Sequence, residues 1–233
     1  MLTAAIFDLD NCLAPANEPG EAFYASVFDA IHCANLGSHS EEELQGAFSD
    51  IWVHALDWVA ARHGFTDAML GAARRVMETL EVDRPLRGYG DLHVLTTLPL
   101  RRFLVTSGFR RLQSSKIRAL GVENAFERVF VDGLDDPDRK GKPGIFRDIL
   151  CLLGSEPSDV LIVGDNAESE IAAGNELGMP TVQVLRAGVL RSDRAQWHVS
   201  FLTDLGPLIE KLRLRDAAGV TAARPKTDME KGK

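Results

Sequence analysis

The chain has 233 residues, 45% hydrophobic and 26% charged, the proportions of a soluble globular protein with room for one large domain or a domain plus a smaller one. Its formal net charge of -8 argues against general nucleic-acid binding, which needs a basic footprint. Three scattered cysteines (Cys12, Cys33 and Cys151) form no disulfide framework or zinc spacing, no apolar run approaches a membrane span, and the first aspartate at residue 8 leaves no room for a signal peptide, so a cytoplasmic location is expected.

In chain order, a buried strand is expected over Ala4 to Phe7. It is followed at once by Asp8-Leu9-Asp10. Residues 14 to 84 hold no convincing strand. A helix is expected from Glu21 to Ala34, and Ser40-Glu41-Glu42-Glu43 is a capping box that opens a long helical pattern through Trp58 to Arg62. Thr66-Asp67 caps a further helix through Met77 to Leu80. Short apolar runs then return at Arg102 to Thr106, Arg128 to Val131, Val160 to Val163 and Thr181 to Leu185. Helical patterns lie between them at Leu112 to Leu120, Gly144 to Leu153 and Ser169 to Leu177, each followed by a glycine suited to ending it: Gly121, Gly154 and Gly178. Asp132 to Asp138 reads as an exposed acidic connection, and residues 216–233 as a polar tail.

Strands apolar on both faces, alternating with helices, predict an α/β doubly wound parallel sheet with a Rossmann-like core. The expected organisation is a core of residues 1–13 and 85–215, with 14–84 as an inserted helical cap. That insert leaves the sheet just beyond Asp8 and Asp10, where it would hang over the site, exclude water and choose the substrate.

Side chains two residues apart on an extended segment point the same way, so the carboxylates of Asp8 and Asp10 crowd together. A hard divalent cation that takes oxygen ligands would relieve the repulsion, and one carboxylate could serve as a nucleophile. Three other clusters fall at or beside strand ends: Thr106-Ser107-Gly108, whose hydroxyls and backbone N–H groups can hold an anion; Lys142-Pro143; and Gly164-Asp165, with Glu168 and Glu170 close behind. Ligands of open α/β sheets bind outside the carboxyl ends of the strands, which gathers all four.

In their order along the chain the four clusters resemble the motifs of the haloacid dehalogenase superfamily, mostly phosphatases, and the insert looks like that family's helical C1-type cap. The resemblance implies Asp8 as nucleophile forming an aspartyl-phosphate, and Asp10 as the acid that protonates the leaving alkoxide and then activates water. It implies Thr106, with Ser107 and Gly108, as phosphoryl ligands and Lys142 as the neutralising cation. It also implies Mg²⁺ held by Asp8, the backbone carbonyl of Asp10 and Asp165, with Glu170 as the partner behind them. Cys12 stands where the family usually has Thr, and Glu170 replaces the commoner Asp. Asn11 also occurs in the family's pyrimidine-nucleotidase-like branch.

Blander readings attach to the neighbours. Pro143 and the spacing favour Lys142 over Lys140. Glu168 reads as a solvated acid at a helix start. Flanking carboxylates raise a thiol's pKa, so Cys12 reads as structural. Trp52 and Trp58 read as core of the insert, and Arg110 and Arg111 as exposed helix charges. The expected activity is a Mg²⁺-dependent phosphatase of a small phosphorylated metabolite; phosphoglycolate, a nucleoside monophosphate and a sugar phosphate all fit. The chain is expected to act as a monomer or homodimer, without nucleic-acid or membrane partners. A phosphosugar mutase and a non-catalytic binding protein on the same scaffold are the alternatives.

Overall fold

Strand β1 (Ala4–Phe7) is buried along its whole length, and its alternating side chains supply two different cores. Ala5 and Phe7 face one side, where they pack with Leu104, Leu161, Val163, Val182, Ile117, Leu205 and Ile209. Ala4 and Ile6 face the other, with Phe103, Val105, Ile162, Phe146, Ile149 and Ile171. Five further strands complete the sheet: β2 (Arg101–Gly108), β3 (Arg128–Gly133), β4 (Val160–Gly164), β5 (Thr181–Val184) and β6 (Trp197–Val199). All pairings are parallel, in the order β3-β2-β1-β4-β5-β6. The computed structural model describes residues 1–217.

Helices α5 (Arg110–Leu120) and α8 (Leu205–Ala217) cover the face with Phe7, and α6 (Gly141–Leu153) and α7 (Glu170–Glu176) cover the face with Ile6. Burial on both sides is why the central strands are continuously apolar. The expected α/β doubly wound parallel sheet is the observed one. Its strand order reverses direction at β1, between β2 and β4. The register pairs Phe7 with Leu104 on one side and Val163 on the other, so the carboxyl ends of β1, β2 and β4 lie side by side.

Between β1 and β2 run α1 (Ala25–Asn35), α2 (Glu41–Asp50), α3 (Leu56–His63) and α4 (Asp67–Met77), with no strand among them. Ser40 and Glu43 form the reciprocal capping box, and the Thr66 hydroxyl caps α4. The four helices share one core of Val27, Ile31, Leu44, Phe48, Val59 and Met69, which rests on Phe109, Leu112 and Leu134 of the sheet-bearing part.

Three sequence expectations need correction. The long helix expected from Ser40 to Arg62 is two helices broken at 51–55, because the buried face of α2 (Leu44, Ala47, Phe48) and that of α3 (Leu56, Val59, Ala60) would lie about a third of a turn apart on one straight helix, and the break turns both into one core. Asp132 is no exposed turn residue: it lies in β3 one residue before its end, is 2% exposed, and accepts hydrogen bonds from Ser107, Arg139 and the Gly141 backbone. The sequence pattern does not reveal the short strand β6 or helix α8; α8 runs through Ala217, so residues 216 and 217 of the expected tail are helical, and its remaining residues, 218–233, lie outside the described part.

A buried guanidinium fastens the loop after β1. Arg186 donates to both oxygens of Asp91 at 2.8 and 2.9 Å and to the carbonyl of Cys12 at 3.2 and 3.1 Å, and it stacks on Tyr89 at 4.0 Å. Asp91 also accepts from the Leu202 backbone at 2.7 Å. Replacing Arg186 by Met would leave the Asp91 carboxylate buried without its counter-ion. The expected loss of unfolding free energy is about 3–5 kcal/mol by urea denaturation, and a loss under about 1 kcal/mol would show that the ion pair does not hold this loop.

Candidate active site

Asp8 follows β1 directly, its backbone N–H donating to the Val163 carbonyl at 2.9 Å, so its side chain is set at the mouth between β1 and β4. Lys142, from the first turn of α6, reaches Asp8 Oδ1 at 2.7 Å and Glu170 Oε2 at 2.8 Å. Lys140, the competing lysine, points away to Asp148 and is exposed. Asp165 follows β4, and Glu170 opens α7 with its other oxygen accepting from the Asn166 backbone at 2.6 Å. Carboxylate oxygens of Asp8, Asp165 and Glu170 lie within 4.8 Å of one another, and all three residues are buried.

Three buried carboxylates against one ammonium set the electrostatics. Burial pushes the Asp8 carboxyl up to about 7, against the pull of Lys142 and with help from Glu170 and Asp10. Burial and then the Glu170 and Asp8 charges hold Asp165 well above the usual carboxylate range. Burial alone would lower Lys142, but Asp8 and Glu170 outweigh it and keep the ammonium charged. A set of clustered hard oxygens carrying this strain suits a divalent cation that prefers carboxylate ligands.

Asp10 is held separately. Its carboxylate is not among the three clustered ones; it accepts from Lys116 Nζ at 2.8 and 3.0 Å and from Gln113 Nε2 at 3.0 Å. The same Gln113 nitrogen donates to Thr106 Oγ1 at 2.6 Å, so one amide spans Asp10 and the end of β2. Ser107 is turned to Asp132 Oδ2 at 2.9 Å, and Gly108, at φ +152°, has Gln113 against it, where a Cβ would come within 2.9 Å of the glutamine side chain. Asn11 has a left-handed φ of 54°, which its short polar side chain tolerates; that side chain accepts from the Ala16 N–H at 3.0 Å and donates to the Trp52 carbonyl at 3.3 Å. This gives Asn11 a conformational reason to follow the aspartates. Cys12 is fully buried, and its thiol is pushed well up by burial and then by Asp8, Asp165 and Glu170, which leaves it unreactive.

A cavity of about 270 Å³ opens over these groups. Asp8, Asp10, Thr106, Lys142 and Asp165 form its floor; Tyr24, Trp52, His54, Trp58 and Met77 come to it from the inserted helices and their connections. Trp52 and Trp58 therefore pack on the insert's core and also face the cavity. Arg110 and Arg111 are exposed helix charges paired with Asp136 and Glu81.

A sequence profile of the haloacid dehalogenase-like hydrolases matches residues 2–178. The chain belongs to that family. Among curated relatives, this haloacid dehalogenase-like hydrolase is 31% identical to the N-acylneuraminate-9-phosphatase of Rattus norvegicus over 117 residues, 48% of this chain and 47% of that protein. The aligned region is thus about half of each. It is 28% identical to the glyceraldehyde 3-phosphate phosphatase of Methanopyrus kandleri over 203 residues, 80% of this chain and 85% of that protein. Two solved structures share the fold: a phosphatase of the family from Thermococcus onnurineus (TM-score 0.59, 22% identity, 89% of this chain and 98% of that one), and a family protein from Streptococcus pneumoniae (TM-score 0.64, 12% identity, 89% and 98%).

Gln113 and Lys116 were missed from sequence. They lie three apart on α5, so they share a face with the buried Leu112 and Ile117. Two long polar side chains on the apolar face of an amphipathic helix were the available signal. Lys116 is 4% exposed, and although burial would lower its pKa, Asp10, Tyr24 and Asp8 together outweigh that and raise it. Lys116→Met and Asp10→Asn are expected to couple by about 1–3 kcal/mol in a double-mutant cycle of urea denaturation. Additive losses would mean that the pair contributes nothing beyond its separate residues.

Proposed function

We propose that this hydrolase is a Mg²⁺-dependent phosphatase of a small phosphorylated metabolite, working through an aspartyl-phosphate on Asp8. The observation that carries this reading is the buried group of Asp8, Asp165 and Glu170 around Lys142, with Asp10 clamped beside it. The related phosphatases of N-acylneuraminate 9-phosphate and glyceraldehyde 3-phosphate support the reaction class.

Phosphoryl transfer depends chiefly on positioning and on charge stabilisation of the transferring group. Asp8 attacks phosphorus as the ester P–O bond breaks. Lys142 offsets the charge of both carboxylate and phosphoryl group. Thr106 Oγ1 accepts from Gln113, which leaves its own proton free to donate to a phosphoryl oxygen. Asp10 gives a proton to the departing alkoxide and takes one from the water that cleaves the aspartyl-phosphate. Gln113 contacts both Asp10 and Thr106, so it sets the distance between the proton-handling group and the phosphoryl site. Asp8, Asp165 and the Asp10 carbonyl, with Glu170 behind them, would hold Mg²⁺, which when bound neutralises the non-bridging phosphoryl oxygens. Ser107 and Gly108 shape the end of β2. Residues 14–84 act as a cap that excludes water from the aspartyl-phosphate and presents Trp52, His54 and Trp58 to the leaving alcohol.

Asp8→Asn is expected to abolish phosphate release from any ester in a colorimetric phosphate assay. In the same assay Asp10→Asn slows turnover by about 10²–10⁴-fold. Undiminished rates in either variant would remove the assigned role.

Mg²⁺ and pH give a second check. Asp8 titrates about 7 when folded against an ordinary 3.8, so between these values the folded chain binds more protons than the unfolded one. The stability contribution of Asp8 without metal therefore falls as pH rises through that window. A divalent cation binds the ionised form and reverses the loss. The rise in Tm on adding millimolar Mg²⁺ is expected to be larger at about pH 8 than at about pH 5.5. Equal shifts by differential scanning fluorimetry would count against Asp8 as a ligand.

A further inference from the structure

Three cationic side chains line the cavity, and each is already matched with carboxylate. Lys142 is held by Asp8 and Glu170, and Lys116 by Asp10. Arg139 donates through Nε and Nη2 to Asp132 at 2.9 and 2.7 Å, and its Nη1 is taken by Asp57. His54 stacks on Trp58 at 3.7 Å between ring centres, and burial lowers its pKa, so it brings no charge. Asp165 and Glu168 add further acids to the lining. The remaining walls include Tyr24, Ile51, Trp52, Trp58, Met77 and Leu134. A phosphate group would meet the Mg²⁺ that Asp8 and Asp165 hold under the phosphatase reading, beside Lys142. A second anion on the alcohol half would lose water without gaining an unpaired cation, beside acids of its own sign.

Resting on the phosphatase reading above, we propose that this enzyme selects phosphate monoesters whose alcohol half carries no carboxylate, and that Asp57 enforces the choice by occupying Arg139. The two partners of Arg139 differ in kind. Asp132 is buried at the end of β3 and also takes hydrogen bonds from Ser107 and Gly141, so its hold on Arg139 is part of the framework. Asp57 lies exposed in the first turn of α3, in the inserted segment. Its removal frees one edge of the guanidinium toward the cavity while Asp132 keeps the group in place. Freed in this way, Arg139 has the planar fork that suits a carboxylate. The other nearby arginine, Arg191, lines an adjoining larger cavity to which Asp8, Thr106 and Lys142 do not contribute.

The test uses two esters with one carbon skeleton, glyceraldehyde 3-phosphate and 3-phosphoglycerate, which differ by aldehyde against carboxylate. With Mg²⁺ present, the native enzyme is expected to favour the aldehyde by about tenfold or more in kcat/KM. Asp57→Ala is expected to narrow that ratio by about fivefold or more, through a lower KM for 3-phosphoglycerate with kcat little changed. Asp57→Asn is expected to narrow it in the same direction, and Asp57→Glu, which keeps the carboxylate, to retain the native ratio. Native turnover of 3-phosphoglycerate equal to that of the aldehyde overturns the proposal while leaving the phosphatase reading intact. So does an unchanged ratio in both Asp57→Ala and Asp57→Asn. If neither ester, nor p-nitrophenyl phosphate as a generic probe, is hydrolysed, the phosphatase reading falls and the selectivity falls with it.

Discussion

Three carboxylates buried within 4.8 Å of one another, with one ammonium among them, are the constraint around which the chain is arranged. Such a group is unfavourable in a folded protein, because burial penalises each charge and neighbours of the same sign penalise it again. It persists because the surrounding structure fixes every member. Asp8 and Asp165 extend directly from adjacent parallel strands, Lys142 enters from the first turn of α6, and Glu170 is tied to the Asn166 backbone. None can move far without breaking sheet register or helix packing. Sites that gather perturbed carboxylates in this way have stored electrostatic strain available for binding a cation and a phosphoryl group.

The rest of the site is built by tethers. Arg186, two residues beyond β5, is bonded to the Cys12 carbonyl and to Asp91, so the loop bearing Asp10 and Asn11 is anchored from below. Asn11 then joins that loop to the Trp52 carbonyl in the insert. Asn166, next to Asp165, donates to the Val53 carbonyl and meets the His54 ring at 3.2 Å. The segment between α2 and α3 is thus bonded to the loops after β1 and β4. Arg139 and Asp57 add an ionic tie from α3 to the end of β3. The Asn11 and Asn166 contacts link the segment between α2 and α3 to loops that carry site residues, so movement of the insert and geometry of the site are physically joined.

Local signals are legible in the sequence. Strands such as Val160–Gly164 are apolar on both faces because both faces are covered, and that pattern is visible without coordinates. The capping box at Ser40 and the Thr66 cap were legible for the same reason, since their partners are three residues away. Roles decided by a distant partner are not. Asp132 looked like a loop acid because its partners Arg139, Gly141 and Ser107 come from α6's approach and from β2. Gln113 and Lys116 looked like ordinary helix polars because the residue they serve, Asp10, is 103 and 106 positions away. The three-residue strand β6 offers too few positions for periodicity to register.

By itself, then, the amino-acid order determined the alternation of strand and helix, the placement of a helical insert after the first strand, and the four chemical clusters at strand ends. These follow from hydrophobic periodicity and local hydrogen bonding, which operate over a few residues. Tertiary structure decided which charges meet: that Lys142 rather than Lys140 faces Asp8, that Lys116 holds Asp10, and that Arg139 is already occupied by Asp57 and Asp132. Coulombic pairing depends on distance in space and on burial, and neither is set until the sheet has brought its strand ends together.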